Sequence, residues 1–430
     1  MHSKPKVLVI ALECYPIQNA NTAITGKLVS HLCDRFDFVI AAQNIHNGPE
    51  KETVQGIPVV RTPFHAYSKR DKTDNNTASD LARMVYLKLV SKYKGDEIKR
   101  KNVYFFVRDI GKLVNMEEID LIVSFSNPFE SHYCASLLAE KHHIPWIAYY
   151  LDPYFSNATY DKRGMLKRKY TEAERLNYAS KVLLTYPINE DYERLDIDFR
   201  DKVVMTEMPG ITANDAPETG KDPVVPVKTG SKCNCYFVGN LYKNIRTPDA
   251  AIQAFSLLQE EADLIFVGET YRFLQDKMKE SIDNVHFLGR KNKEEVARIY
   301  QEADILVNIG NAIDNQMPSK IFEYISTGKP ILNFYKVSNC PTLKYLKNYP
   351  LALNLYEPDV LQDTERYSKK IKDFCMQNRG KTVPATWIRE QFNGNTDTAV
   401  ANFLGEQMER ALMKNQSIAI LHSLCKEEGK

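Results

Sequence analysis

The residues of this chain that could do chemistry concentrate between Asp304 and Tyr335, DILVNIGNAIDNQMPSKIFEYISTGKPILNFY. Pro318, Ser319 and Lys320 open a short helical pattern whose apolar stripe is Ile321, Phe322 and Ile325. Proline suits the first helical position because the N–H it lacks would have no partner there. Gly328 fits the left-handed position after the last turn, and Pro330 enforces the stop. The first-turn N–H groups are unpaired and carry the positive end of the helix dipole, so a phosphate can sit there. Lys320 adds a full charge, and Glu323 follows three residues on, on nearly the same face. A carboxylate one turn behind a phosphate is placed to accept two hydrogen bonds from a ribose diol. Together these features describe a nucleotide site. A capped surface helix carrying a Lys–Glu pair is the other reading.

A second constellation is the loop GNLYKNIR, which follows the apolar run Cys233–Val238. Gly239 lets the backbone approach a ligand. Lys243 and Arg246 bring positive charge beside a helix that starts at Thr247-Pro248-Asp249. Arg290, after Gly289 in VHFLGR, is a candidate for the same site, and a plain surface loop is the alternative. A third point of interest is Asp152, in YYLDPY at the end of the apolar run Pro145–Tyr150. The following proline pins the backbone and presents the carboxylate at a strand end, where ligands bind in open α/β sheets. An aspartate that caps the next turn is its rival reading.

Strand and helix patterns alternate along the whole chain, so these groups sit on parallel sheets covered by helices on both faces. Lys6–Leu12 is a continuous apolar run of the kind buried on both sides. The turn after it, ECYPIQNANTAITG, contains no G-x-G-x-x-G, so a dinucleotide fingerprint is absent where one would stand. Asn19 and Asn21 in that turn read as loop and cap residues. Residues 77–115 are helical in pattern and basic, with Lys88, Lys92, Lys94, Lys99, Arg100, Lys101, Arg108 and Lys112 interleaved with apolar residues. Such a segment suits an anionic membrane surface or an ordinary solvated face, and Arg163, Lys167, Arg168 and Lys169 add a second basic helix. Residues 213–231 are rich in Pro, Gly, Lys and Asp and read as a linker. The expected organisation is an N-terminal domain over residues 1–212, a second α/β domain over 232–390, and C-terminal helices over 391–430.

The totals exclude several classes. A net charge of +2 argues against a dedicated nucleic-acid binder. The eight cysteines are scattered. Cys233 and Cys235 share one strand face but lack a second pair at zinc-site spacing, so no metal site is expected. Asp196-Ile-Asp198 formally matches a D-x-D metal motif, yet it lies in a charged helical stretch and reads as surface. No run approaches the ~18–20 apolar residues that span a bilayer. The N-terminal apolar core is short for a signal peptide, and a cytoplasmic protein is expected, with contact at the inner face of the plasma membrane as a further expectation.

The block MPSKIFEYISTGKPIL resembles the donor-binding segment of GT-B glycosyltransferases of the family 4 type, in particular a bacterial subset with Pro-Ser-Lys-x-x-Glu-Tyr. SNPFESHYCASLLAEKHHIPWIAYYLDPY is similar to a segment of the same enzymes that ends in an Asp-Pro pair. The resemblance implies two doubly wound, Rossmann-like α/β domains facing a cleft, with the last helices crossing back to the first domain. It assigns Glu323 to the donor ribose and the helix tip (Pro318, Ser319, Lys320) to the diphosphate. The wider family has a second Glu eight residues earlier, where this chain has Asn315. The family's Arg directly after the loop glycine is Asn240 here, so the diphosphate contact passes to Arg246 first and Lys243 second. Asp152 would activate or hold the acceptor hydroxyl. The implied reaction moves a hexosyl group from a nucleotide-sugar to a hydroxyl of a saccharide or lipid-linked saccharide, with retention, in cell-surface polysaccharide synthesis. It would use no cofactor and no metal, the nucleotide-sugar being a substrate and its leaving group being neutralised by Arg246, Lys320 and the helix tip. A sugar-nucleotide epimerase of the same fold and a non-catalytic partner keeping the scaffold are the alternatives.

Overall fold

The computed structural model describes residues 4–14, 20–45, 47–63, 78–126, 128–195, 197–211, 232–270 and 282–427. The chain divides into two compact units, Met1–Met208 with Asp397–Lys430, and Pro209–Thr396. The proposed linker 213–231 lies outside the described residues, as do Asn19 and Asp196.

The first unit is built on eight strands: β1 (Lys6–Ile10), β2 (Asp37–Asn44), β3 (Lys51–Val54), β4 (Ile57–Pro63), β5 (Leu121–Phe125), β6 (Trp146–Tyr150), β7 (Lys181–Thr185) and β8 (Val203–Thr206). Their order is β3-β4-β2-β1-β5-β6-β7-β8, and every pairing is parallel except β3 with β4. Sequence patterning misses β3. Its signal is the two-residue Gln55-Gly56 turn, with φ of 51° and 82°, which closes a hairpin at the sheet edge. The central strands β5 and β6 are buried along their whole length, as their apolar runs require. The long C-terminal helix Asp397–Glu427 belongs to this unit, packs on the helix Ala20–His31, and is tied to it by a 2.8 Å ion pair between Lys27 and Asp397.

Two sequence expectations change here. Asn21 is not a cap, because the helix Ala20–His31 already includes it and its amide points to Asp152 instead. The basic stretch 77–115 is two helices, Ala78–Lys94 and Arg100–Leu113, broken at Gly95, whose φ is 60°. Arg100 and Lys101 are buried rather than solvated, and Arg100 is neutralised by a buried ion pair with Asp96. Removing one partner of such a pair strands a charge, which is why the helix can turn its cationic start inward only beside Asp96.

Behind the C-terminal ends of β6 and β7, Glu172 is fully buried and accepts from the hydroxyls of Tyr150 (2.6 Å) and Tyr192 (2.8 Å). Burial pushes its pKa from 4.5 up to about 7, against the hydrogen bonds that favour the anion. The folded state therefore holds a proton that the unfolded state releases between pH 4.5 and 7. This carboxyl supports the fold fully below pH 4.5, and its support is lost as pH rises through about 7. Glu172→Gln is expected to flatten that part of the stability curve and to raise stability at pH 8 by ~2–3 kcal/mol, read from urea midpoints across pH.

The second unit carries β9 (Cys233–Val238), β10 (Ala262–Val267), β11 (Val285–Phe287), β12 (Ile305–Ile309), β13 (Ile331–Tyr335) and β14 (Ala352–Tyr356). The sheet order is β11-β10-β9-β12-β13-β14, parallel throughout. Numbered within the unit this is 3-2-1-4-5-6, the doubly wound order whose chain reverses direction across the sheet between its first and fourth strands. Register on one side is pinned by a buried amide ladder, Asn308 to Asn333 (2.7 Å) and Asn333 to Asn354 (2.8 Å), residues that face one another across β12, β13 and β14. Asn292 and Glu295 form a capping box at the start of the helix Lys293–Glu302.

Candidate functional site

In a doubly wound sheet the crevice opens at the strand ends where the order reverses, here between β9 and β12. These two strands pair only at Cys235–Ile305 and Tyr236–Leu306 and then part. The gap leaves the N–H and C=O of Val238 without a strand partner on that side. Tyr324 supplies one: its hydroxyl accepts from the Val238 N–H at 2.8 Å and donates to the Val238 C=O at 3.1 Å. The ring is buried and lies on the helix Lys320–Ser326, so this single hydroxyl staples that helix to the end of β9. Tyr324→Phe leaves two buried backbone groups unsatisfied and is expected to cost ~1–3 kcal/mol. The unit's melting midpoint should fall by ~2–4 °C per kcal/mol, measured by calorimetry.

The loop after β9 is shaped by close backbone contact. Gly239 donates to Val267 at 2.8 Å, and a Cβ on Gly268 would sit 2.0 Å from the Gly239 oxygen, so only glycine fits at 268. Asn240 is a structural strut: its Oδ1 accepts from the Glu269 N–H at 3.0 Å. Arg290 is exposed and reaches Glu269 at 3.5 Å, on the outer side of the same strut. Lys243 is exposed.

Arg246 behaves differently from the other cations. Its Nε donates to Asn311 Oδ1 at 3.0 Å and its Nη1 to the Asn240 carbonyl at 3.4 Å. Asn311 is buried and passes its own amide to the Gln316 carbonyl at 3.3 Å, which ties the guanidinium to the loop after β12. The guanidinium is desolvated, which pushes its pKa below the usual arginine range, and the groups that oppose this shift are Tyr242, Tyr324 and Cys340. Among the described residues no carboxylate pairs with it. A half-buried cation held by neutral acceptors at a strand-end crevice is a site for an external anion.

The helix Lys320–Ser326 starts two residues later than the Pro318 pattern suggests. Pro318 lies in the turn before it, where its carbonyl accepts from Ile321 at 3.1 Å, and Ser319 occupies the cap position without a side-chain cap bond. Gly328 takes a φ of 71°, the left-handed value its position requires. Lys320 Nζ is 2.8 and 2.6 Å from the two oxygens of Glu323, and the Tyr300 hydroxyl donates to Glu323 Oε2 at 2.9 Å. Both charged side chains are half-buried. The Lys320 charge is thus engaged by Glu323, whereas Arg246 has no anionic partner among the described residues. Asn315 is buried in the loop after β12. Asn311, Tyr300 and Tyr324 are the contributors that residue-type reasoning missed. An asparagine in a polar loop and a tyrosine on a helix carry no signal until the fold shows what they touch.

In the first unit, Asp152 follows the end of β6. Its Oδ2 accepts from the Asn21 amide at 3.0 Å, and its backbone carbonyl accepts from Ser126 Oγ at 3.3 Å. The residue as a whole is half-buried, yet its carboxyl is deep enough that burial raises its pKa above the usual aspartate range, with Asn21 opposing the shift. It does not cap the following turn. His132 is fully buried and bonded to Ser124 at 2.7 Å, in line with a packing role.

Cys233 and Cys235 are joined by Cys375 from the helix Thr364–Asn378. The Cys235 sulfur lies 4.0 Å from that of Cys233 and 3.9 Å from that of Cys375. All three are buried within the apolar core of the second unit, where thiols pack as small hydrophobes. Cys375 lies 140 residues away from Cys235, so this grouping was invisible in the local spacing.

Residues 232–343, which contain the Gly239 loop, Arg246 and the helix Lys320–Ser326, match the family described as Glycosyl transferases group 1. No curated protein matches the chain in sequence. Solved structures match it over nearly its full length. Sucrose-phosphate synthase from Thermosynechococcus elongatus is 14% identical with a TM-score of 0.66, over 96% of this chain and 100% of that one. An α,α-trehalose-phosphate synthase (UDP-forming) from Burkholderia vietnamiensis is 11% identical with a TM-score of 0.61, over 96% and 100%. HepE from Anabaena, solved in complex with UDP-glucose, is 13% identical with a TM-score of 0.56, over 97% and 99%. These likenesses establish the fold as GT-B, two α/β domains, one on a parallel sheet and one on a sheet parallel but for its β3 edge.

Proposed function

We propose that the protein is a glycosyltransferase that binds a nucleotide-diphosphate sugar in its second unit and transfers the sugar to a hydroxyl of a saccharide or lipid-linked saccharide. The observation that carries this reading is Arg246: a desolvated guanidinium at the β9/β12 crevice, oriented by Asn311 and without a carboxylate partner among the described residues, inside the segment that matches a glycosyltransferase family. A diphosphate supplies the missing charge. Glu323, already positioned by Tyr300, takes the ribose diol when Lys320 releases it toward the phosphates. Gly239 gives the backbone access, and Ser319 and Pro318 set the start of the helix that faces the ligand. The UDP-glucose complex of the Anabaena structure supports a donor of this class. Retention of anomeric configuration and a role in surface polysaccharide belong to the same proposal, on the likeness of the Pro318–Pro330 block.

Chemically, the donor bond breaks toward the diphosphate, so stabilising the leaving group lowers the barrier most where charge develops. Asp152 is assigned the acceptor hydroxyl, as a base or as the group that holds it. A melting-temperature panel of nucleoside diphosphates and their sugars tests the reading. A cognate diphosphate at 100 times its Kd should raise the midpoint of the wild type by about 5–10 °C. Product analysis then separates the outcomes: an extended acceptor supports transfer, whereas an altered sugar-nucleotide without acceptor would point to epimerisation. A panel in which no nucleotide shifts the midpoint overturns the proposal.

A further inference from the structure

Helix Ala78–Lys94 leaves four large side chains in solvent. Val85, Tyr86, Leu89 and Tyr93 are between 57% and 85% exposed. At 100° per residue they fill an arc of about 100° on one side of the helix. Lys88 and Lys92 run along one border of that arc, and Arg83, whose guanidinium lies 5.8 Å from the Tyr86 ring, stands on the other. From Leu81 to Lys94 the segment has no carboxylate. A helix that packs on a protein core turns such an arc inward. This one instead packs on Arg100–Leu113, where Arg83 also lies over Tyr104 at 5.3 Å.

The helix Met165–Leu176 repeats the arrangement. Leu166 and Tyr170, one turn apart, are exposed, with Lys162, Arg163 and Lys167 exposed beside them. Two exposed acidic residues flank this face, Asp161, which is held by Arg163 at 2.6 Å, and Glu174, which is paired with Arg175. The two helices meet end to start. A Cβ on Gly95 would lie 3.1 Å from Lys167 Nζ, and one on Gly164 would lie 3.0 Å from the Gly95 carbonyl. Asp96 locks the junction, accepting from Thr171 Oγ1 at 2.6 Å and from Arg100 Nη1 at 2.7 Å. The two exposed apolar stripes therefore sit on adjoining elements of one unit, each bordered by cations.

We infer that this surface docks on an anionic lipid bilayer. Tyrosine and leucine among lysines are suited to the headgroup boundary, where the rings and aliphatic stems sit in the acyl edge and the ammonium groups face lipid phosphates. Among the described residues no helix is long and apolar enough to cross a membrane, so the contact is peripheral. The inference does not rest on the nucleotide-sugar reading, because its residues and its readout are separate from that site.

The test is sedimentation of the full chain with vesicles of phosphatidylcholine alone or with about one-third phosphatidylglycerol. The protein should pellet with the anionic vesicles, about tenfold more weakly with the neutral ones, and should be released by ~0.5 M salt. Leu89→Ser/Tyr93→Ser/Leu166→Ser should lose about tenfold or more of the binding while keeping its melting midpoint and its response to nucleoside diphosphate. Lys88→Gln/Lys92→Gln/Lys167→Gln should lose the preference for anionic lipid. A wild type that stays in the supernatant overturns the proposal, as does a serine variant that binds undiminished. So does light scattering that shows a wild-type dimer made monomeric by the serine substitutions, which would assign the patch to a second copy.

Discussion

Arg246→Ala should abolish most of the stabilisation that a nucleoside diphosphate confers and lower kcat/KM at least a hundredfold. The guanidinium has two jobs in the proposed site. It binds the diphosphate in the ground state, and it neutralises charge that grows as the sugar departs. Charge-assisted bonds contribute ~1.5–3 kcal/mol each, and a bidentate contact on a phosphate counts twice. The desolvated setting strengthens the effect, since the cation is already stripped of water and held by Asn311 and the Asn240 carbonyl, so little reorganisation remains. Truncation also removes a half-buried charge that has no carboxylate partner among the described residues, so the variant's own melting midpoint should hold or rise. A gain in bare stability with a loss of ligand response separates a binding residue from a structural one. Arg246→Lys should recover only part of the response, because an ammonium cannot offer the planar fork. Lys243→Ala, in an exposed side chain, should change either readout less than threefold.

Asp152→Asn should lower kcat by a factor of about 10²–10⁴ with the diphosphate response intact, the range expected when a positioned general base is lost. Asparagine keeps an oxygen for the Asn21 amide to bond, so the geometry survives and the charge does not. The pH profile makes the assignment specific. Burial raises the Asp152 pKa, so the base is protonated at higher pH than an ordinary aspartate, and wild-type kcat should rise with pH through that elevated value. The substituted enzyme should show a low rate without that acid limb. A kcat for Asp152→Asn within threefold of the wild type would remove Asp152 from the reaction and leave the donor site standing.

Much of the architecture was legible in residue order. Continuous apolar runs announced buried strands, as in Lys6–Ile10 and Trp146–Tyr150, and Gly328 marked a helix end by chemistry local to the chain. Each of these signals spans a few residues, which is the range over which backbone sterics and hydrogen bonding act. The edge strand Lys51–Val54 escaped notice because an exposed, charged hairpin strand has no apolar pattern, only its turn.

Sequence by itself determined the second unit's strand-loop-helix segments and named Arg246, Lys320, Glu323 and Asp152 as residues worth asking about. Tertiary structure decided which of them differ in kind. Lys320 and Glu323 satisfy each other within a single turn, whereas Arg246 is held between the loops after β9 and β12, which only the sheet order brings together. The basic stretch 77–115 likewise had one composition but two fates, an inward Arg100 neutralised by Asp96 and an outward stripe at Leu89 and Tyr93. Side-chain type sets what a group is able to bind. Burial and neighbours set whether it is already satisfied, and those are properties of contacts made across long stretches of chain.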